Sequence, residues 1–510
     1  MPSRARALLL SLAAAFSLGG GAYAQSVDAD PRLSTAIGQA QEAAGRNDCA
    51  GVLAALDPIV PGLADGPQRI LIQRMRLVCL GTEGRAGELA PVQQELAVAM
   101  PRDGLVKAFG VLIAADEDRF TDAADQIALL ADTSPRSLDV LTGAAVRAIS
   151  IKLTESRAHE VRGRMMIALA RADWEPSDLP EMRIGFAESA IGALIDRGEA
   201  DEAEGLLARI EQPEMLSAMA IDRHYIKLWP ALEERLGPAS TTSVDSFARS
   251  KFALLGDAPD SETALRDSTN AMLLLGRYQD VLDMTDTVEV NEGISRDAVR
   301  TLLYRARALA AMRRNDEVDQ LLGGFMKLDL RHSPAAATAL VSYAEFLDEV
   351  GRPAQALAAA RDARAKAGEL LTDLGKLWLD RTEICALSTL GRVAEANSAI
   401  QLIKQRAEHN QPAVIEALLC AKRDAEASQI ALKAFGDSEV ASELLLQFQP
   451  AGSLLAPAPS RLRDLWTAFL VRPEIKTMFE RHGRILPRGL WPDPKPRAVP
   501  RQPSKGATLT

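Results

Sequence analysis

Leu275-Gly276-Arg277-Tyr278-Gln279-Asp280-Val281-Leu282 recurs, changed but recognisable, as Val350-Gly351-Arg352-Pro353-Ala354-Gln355-Ala356-Leu357 and as Leu390-Gly391-Arg392-Val393-Ala394-Glu395-Ala396. Weaker copies are Met312-Arg313-Arg314-Asn315-Asp316-Glu317-Val318 and Ala421-Lys422-Arg423-Asp424-Ala425-Glu426-Ala427. Breaks at 276, 313, 351, 391 and 422 are separated by 37, 38, 40 and 31 residues, one helix hairpin per period. Gly at the break supplies the left-handed backbone that closes a helix. The small residue five positions on, Val281, Ala356 or Ala396, lets paired helices approach closely.

The flanking segments carry helical stripes. Val299, Leu302, Leu303, Ala306, Leu309 and Ala310 share one face, and Val318, Leu321, Leu322, Phe325 and Met326 share another. Neither stripe can be buried by its own helix, so neighbouring hairpins must stack. Looser copies stand at Gly45-Arg46-Asn47, Gly84-Arg85-Ala86, Asp118-Arg119-Phe120 and Gly198-Glu199-Ala200, with Pro101 and Pro135 where second helices should end. These features resemble the tetratricopeptide repeat family, most closely at Gly276-x-Tyr278 and at Phe120 with Ala123 and Pro135. The periods depart from 34, and the first helices lack the family's Trp. The resemblance implies a right-handed all-α solenoid whose concave groove binds peptides or proteins, and it implies no reaction.

Composition agrees with a stack of helices. Of 510 residues, 47% are hydrophobic and only 4% aromatic, with 25% charged. The segments read as degenerate helical repeats over 25–237, clearer repeats over 244–449, a C-terminal helical cap over 461–487 containing Trp466, Phe469 and Phe479, and a basic Pro-rich tail over 488–510. The tail cannot pack a core and is expected to be disordered. Gly237 to Ser243 is expected to separate two solenoid segments, and Pro450 to Pro459 to set off the cap.

The first 24 residues read as a secretory signal peptide: Arg4 and Arg6, an apolar run from Ala7 to Leu18, and Ala22-Tyr23-Ala24 before Gln25. Cleavage after Ala24 is expected to leave Gln25 at the mature N-terminus, in the periplasm if the source is a Gram-negative bacterium, with no membrane span expected in the mature chain. Loss of Arg4 and Arg6 leaves 57 basic against 69 acidic residues, a balance of −12 that does not attract nucleic acid. Export also exposes the four cysteines to oxidation, and Cys49 with Cys79 and Cys385 with Cys420 are expected to pair. In a stack, the first pair joins successive helices. The second joins two first helices across an axial offset of about 6 Å, four residues at the helical rise.

Chemistry is sparse. His159, His224, His332, His409 and His482 are isolated, with neither zinc-ligand spacing nor a catalytic motif, so neither metal nor cofactor is expected. Glu155-Ser156 and Glu188-Ser189 match the acid of exported lytic transglycosylases in two residues only, without the Gly-Leu-Met-Gln segment that follows it in that family. The remaining set is Arg266, Asn270, Arg300 and Arg307. Arg266 and Asn270 share a helix face, Arg300 and Arg307 share another, and Arg300 follows Arg266 by one repeat, so they should meet on adjacent first helices. Arginine pairs recognise carboxylates through two parallel hydrogen bonds. The expectation is a non-catalytic scaffold binding an envelope protein or peptide. A helical module of a cell-wall enzyme and a small-molecule binding protein are the alternatives.

Overall fold

The computed structural model describes residues 31–455 and 460–501. The signal segment 1–24 and the end of the tail, 502–510, lie outside the described residues. The chain divides into two compact units, Met1–Arg209 and Ile210–Thr510.

In the first unit the helices are α1 (Pro31–Gly45), α2 (Cys49–Leu56), α3 (Pro67–Thr82), α4 (Ala86–Ala99) and α5 (Gly104–Asp116). They are followed by α6 (Phe120–Thr133), α7 (Gly143–Glu155), α8 (His159–Arg171), α9 (Met182–Asp196) and α10 (Ala200–Leu206). The second unit begins with α11 (Pro213–Ile221), α12 (Trp229–Leu236), α13 (Thr241–Asp257), α14 (Glu262–Leu274) and α15 (Tyr278–Met284). Next come α16 (Arg296–Ala311), α17 (Asn315–Phe325), α18 (Ala337–Glu349), α19 (Pro353–Ala367) and α20 (Asp373–Thr389). It ends with α21 (Val393–Lys404), α22 (Gln411–Cys420), α23 (Asp424–Ala434), α24 (Ser438–Gln447), α25 (Arg461–Phe469) and α26 (Pro473–His482). Among the described residues there is no strand, and one isolated bridge pairs Asp222 with Gly483. The protein is an all-α solenoid of stacked helix hairpins.

One turn builds these hairpins. The second residue after the first helix is left-handed, and the next residue's N–H bonds the carbonyl five positions back. Arg85 reaches Leu80 in this way, Arg277 Met272, Arg352 Leu347, Arg392 Leu387 and Arg423 Leu418, at 2.8–3.0 Å. This closes the helix by satisfying a carbonyl that its own turn leaves free. The same arginine then folds onto an acid three residues on, as in Arg85–Glu88, Arg119–Asp122, Arg314–Glu317 and Arg392–Glu395. That acid lies in the first turn of the second helix, where negative charge is favoured. The left-handed position is Gly at 84, 198, 276, 351 and 391, but Asn47, Asp118, Arg157, Arg313 and Lys422 elsewhere. The first break is therefore at Asn47, two residues beyond the expected Gly45, and the turn at Arg157 carries no glycine signal in the sequence.

Val281, Ala356 and Ala396 are buried as their spacing requires. Stripes from α14 to α21 merge into one core that includes Leu302, Leu309, Leu322, Phe325 and Leu340. The first helices α14, α16, α18, α20 and α22 pack in sequence to form one continuous wall.

The C-terminal helices cap the last hairpin, α25 against α22 and α26 against α23. Trp466, Phe469 and Phe479 surround Phe448, with ring centroids at 5.0, 6.2 and 5.4 Å. The segment beyond them differs from expectation. Residues 484–501 form a strap that runs back over the start of the same unit, so the segment over 488–501 is not a free appendage. Arg484 stacks on Trp229 at 3.6 Å and bonds Glu233 at 2.6 Å and the Ala220 carbonyl at 2.8 Å. Ser240 donates to the Leu490 carbonyl at 2.6 Å, and Arg497 donates its N–H to Leu275 and its guanidinium to Asp245. Arginine–aromatic stacking and carbonyl partners hold this polar segment where a hydrophobic core cannot. They also place the boundary between units at Arg209, because the strap binds α11 and α12 to everything that follows. The break at Gly237, φ 69°, only ends α12.

A candidate partner-binding cleft

The wall of first helices faces an open cleft of about 920 Å³. On one side α16 presents Arg296, Arg300 and Arg307, spaced by four and seven residues and so on one face. All three are exposed, and none makes an ion pair among the described residues. Arg307 lies 5.9 Å from the Tyr304 ring centroid, and burial pushes the Tyr304 hydroxyl up. Across the cleft, α20 and the loop before it supply Trp378, Leu370 and Leu374, the two leucines each 48% exposed. The cleft therefore sets guanidinium groups without ion pairs on one side against exposed leucines on the other.

The end of the cleft is built by α25 over a buried charge cluster. Arg381, with no exposed surface, lies 2.7 Å from Glu345 and 3.0 Å from Glu416. The second contact lacks the alignment of a hydrogen bond. Burial alone would lower the Arg381 guanidinium, but Glu416, Glu345 and Asp348 outweigh it and hold the charge on. Glu416 is raised by burial, against the pull of Arg381 and of the Trp466 indole N–H, which donates to it at 2.8 Å. Arg461 pairs with Asp348 at 2.8 Å, and Glu349 accepts from the Ser460 hydroxyl at 2.5 Å and the Arg461 N–H at 2.8 Å. Burial raises both carboxyls. Arg463 donates to the Leu446 and Gln447 carbonyls at 2.7 and 2.6 Å, and burial pushes its guanidinium down. The carboxylates of this region are thus engaged, and the charge left free in the cleft is positive.

The four residues singled out in the sequence separate into two groups. Arg300 and Arg307 line the cleft. Arg266 does not: it is held by Asp297 at 2.5 Å and Asp267 at 2.6 Å. Burial would raise the Asp297 carboxyl, but the Thr263 hydroxyl, Arg266 and Arg300 keep it below its ordinary value. Asn270 donates to Glu214 at 3.5 Å. Arg296 was missed, although it stands four residues before Arg300 and a search at helical spacing finds it. Arg463 and Trp378 carry no such signal, since they reach the cleft through long-range packing.

Both cysteine pairs lie at disulfide distance, with Cα separations of 4.9 Å for Cys49 and Cys79 and 5.0 Å for Cys385 and Cys420. The offset expected for the second pair is absorbed because α22 is slid along α20. Arg381 with Glu416 and Cys385 with Cys420 both meet across 35 residues, whereas the turns at 391 and 422 are 31 apart. Of the two Glu-Ser dipeptides, Glu155 is exposed and pairs with Lys152 at 2.8 Å. Glu188 is half-buried between the core residues Ala187 and Ala190 of α9, and burial raises its carboxyl against the influence of Arg162. No helix is long and apolar enough to cross a membrane among the described residues.

The fold and cleft define a helical-repeat protein of tetratricopeptide-like hairpins. No family profile matches the chain, and no curated protein matches it. Among solved structures, it is similar to Naa15/Naa10 bound to HypK-THB, at 11% identity over 78% of this chain and 68% of that one, TM-score 0.25. The APC/C hetero-tetramer Cut9–Hcn1 matches at 10% identity over 88% and 84%, TM-score 0.30. The P58(IPK) TPR domain matches at 11% over 88% and 98%, TM-score 0.20. At such scores the functional reading rests on the cleft and not on these likenesses.

Proposed function

We propose that the protein is a non-catalytic scaffold, exported by cleavage after Ala24 to the periplasm, that binds a protein or peptide of the cell envelope in the cleft of its second unit. The observation that carries this reading is the row Arg296, Arg300, Arg307: three exposed guanidinium groups on one helix face, without ion-pair partners among the described residues, opposite exposed leucines. Such a surface takes a segment that combines carboxylates with apolar side chains. The two cysteine pairs at disulfide distance support an oxidising compartment.

The test is cross-linking in intact cells followed by purification of the protein, with wild type compared against Arg300→Glu/Arg307→Glu. A partner protein recovered with wild type and lost with the charge-reversed variant is expected. Recovery of no partner, together with turnover of a cell-wall substrate by the purified protein, would overturn the scaffold reading. Mass spectrometry of the exported form should give Gln25 as its first residue.

A further inference from the structure

Helices α20 and α22 are joined twice on the same faces. Cys385 and Cys420 stand at a Cα separation of 5.0 Å, and one turn earlier on both helices Arg381 lies 3.0 Å from Glu416. The buried ion pair resists sliding of α22, because separating it would leave a charge buried without its partner, but it adds little net stability to the joint. A covalent bridge one turn away fixes the slide. The placement matters because the other oxygen of Glu416 accepts the indole N–H of Trp466. Trp466 packs edge-on to Phe448 at 5.0 Å and seats α25, and α25 brings Leu462 and Arg463 to the cleft. The sequence of contacts runs from the bridge, through the slide of α22 and Glu416, to Trp466 and the cleft's C-terminal wall.

We propose that the Cys385–Cys420 bridge makes this cleft conditional on oxidation: closing it fixes α22 against α20 and so seats the wall formed by α25. The proposal rests on the reading of the cleft as a partner site. In the reverse direction, a dithiol reductant attacks the sulfur of Cys420, the more exposed of the two. The sulfur–sulfur bond breaks, and Cys385 leaves with the electron pair and takes a proton. The second thiol of the reductant then displaces Cys420 as a thiol and closes to a cyclic disulfide, completing a transfer of two electrons and two protons. Cys385 is fully buried, so the reductant reaches the bridge from the side of Cys420.

The experiment uses the full mature protein. Amide exchange by mass spectrometry over 461–490, and tryptic cleavage after Arg461 and Arg463, are followed in wild type, Cys385→Ala/Cys420→Ala, Glu416→Gln and the combination. Losing the bridge is expected to speed both readouts by at least about tenfold, with Cys49→Ala/Cys79→Ala leaving them unchanged. The combined variant should exceed the larger single effect by less than about twofold, because bridge and carboxylate act through one contact. Wild type reduced with dithiothreitol and alkylated should match the cysteine variant. Unchanged exchange without the bridge, additive effects, or loss of helix throughout the unit on both routes would overturn the proposal. Cross-linked partner capture is measured on the same samples. It should fall in step with the exchange, and capture at the wild-type level from a loosened wall would also overturn the proposal. If wild type captures nothing, the binding reading fails, while the exchange data still decide the coupling.

Discussion

Replacing Arg381 with Met removes a guanidinium that has no exposed surface and sits between Glu345 and Glu416, 5.0 Å from the Trp378 ring centroid. Methionine fills most of the space of the arginine stem, so little of the effect comes from a cavity. The loss comes from Glu416, 4% exposed, which is left with one donor, the Trp466 indole. Breaking a buried pair by removing one partner costs about 3–5 kcal/mol. Glu416 is already raised by burial, and removing its cation raises it further. With the folded value above the unfolded one, the native state holds the proton more tightly. The stabilisation this gives is complete below the unfolded pKa of about 4.3 and is lost as pH rises through the folded value. The variant should therefore lose about 3–5 kcal/mol near pH 7.5 and markedly less near pH 5. Urea unfolding followed by circular dichroism at both pH values measures this. A loss below about 1 kcal/mol near neutrality, or an equal loss at both pH values, would refute the account of Arg381 and Glu416 as a mutually dependent buried pair.

Other outcomes follow from single features. Gly391→Ala should cost about 1–2 kcal/mol in urea unfolding: Gly391 has φ 71° and open space around it, so the cost is that of left-handed backbone alone. Lys422→Gly, at φ 57° in the equivalent turn, should have the opposite sign. Arg300→Glu/Arg307→Glu should cost no more than about 1 kcal/mol, from the new repulsion between position 300 and Asp297, while abolishing partner capture. Non-reducing peptide mapping of the protein purified without reductant should recover Cys49 linked to Cys79 and Cys385 linked to Cys420. Labelling of all four thiols without reductant would show them free.

The hairpins were legible because their turn is local. A left-handed glycine followed at once by an arginine is read from adjacent residues, so Gly276, Gly351 and Gly391 announce themselves, the first and last with an acid three positions beyond the arginine. Arg157 does not, because a non-glycine residue in the left-handed region is held there by its neighbours and leaves no compositional trace. The strap was illegible for a different reason. Arg484 finds Glu233, and Ser240 finds Leu490, across separations of 251 and 250 residues, and a basic Pro-rich stretch reads as disordered until its partners are known. The cleft falls between these cases. Helical spacing placed Arg300 with Arg307, but the choice of Arg266 over Arg296 depended on whether Asp297 neutralised it, a question of side-chain direction rather than spacing.

A row of stacked hairpins in which each touches only its neighbours melts from its ends, and any stretch of it can form on its own. The strap changes that for the second unit. Arg484 on Ala220 closes a loop of 264 residues, and with its neighbours it staples the opening helices α11 and α12 to the closing ones. Neither end is left to fray, and the unit unravels as a whole rather than hairpin by hairpin. Its contacts of highest sequence separation form last and slow the final step of folding. A chain that stops short of residue 484 would carry every repeat and every arginine of the cleft and still be an open array. Completion of this half of the protein waits on the segment that follows its last helix.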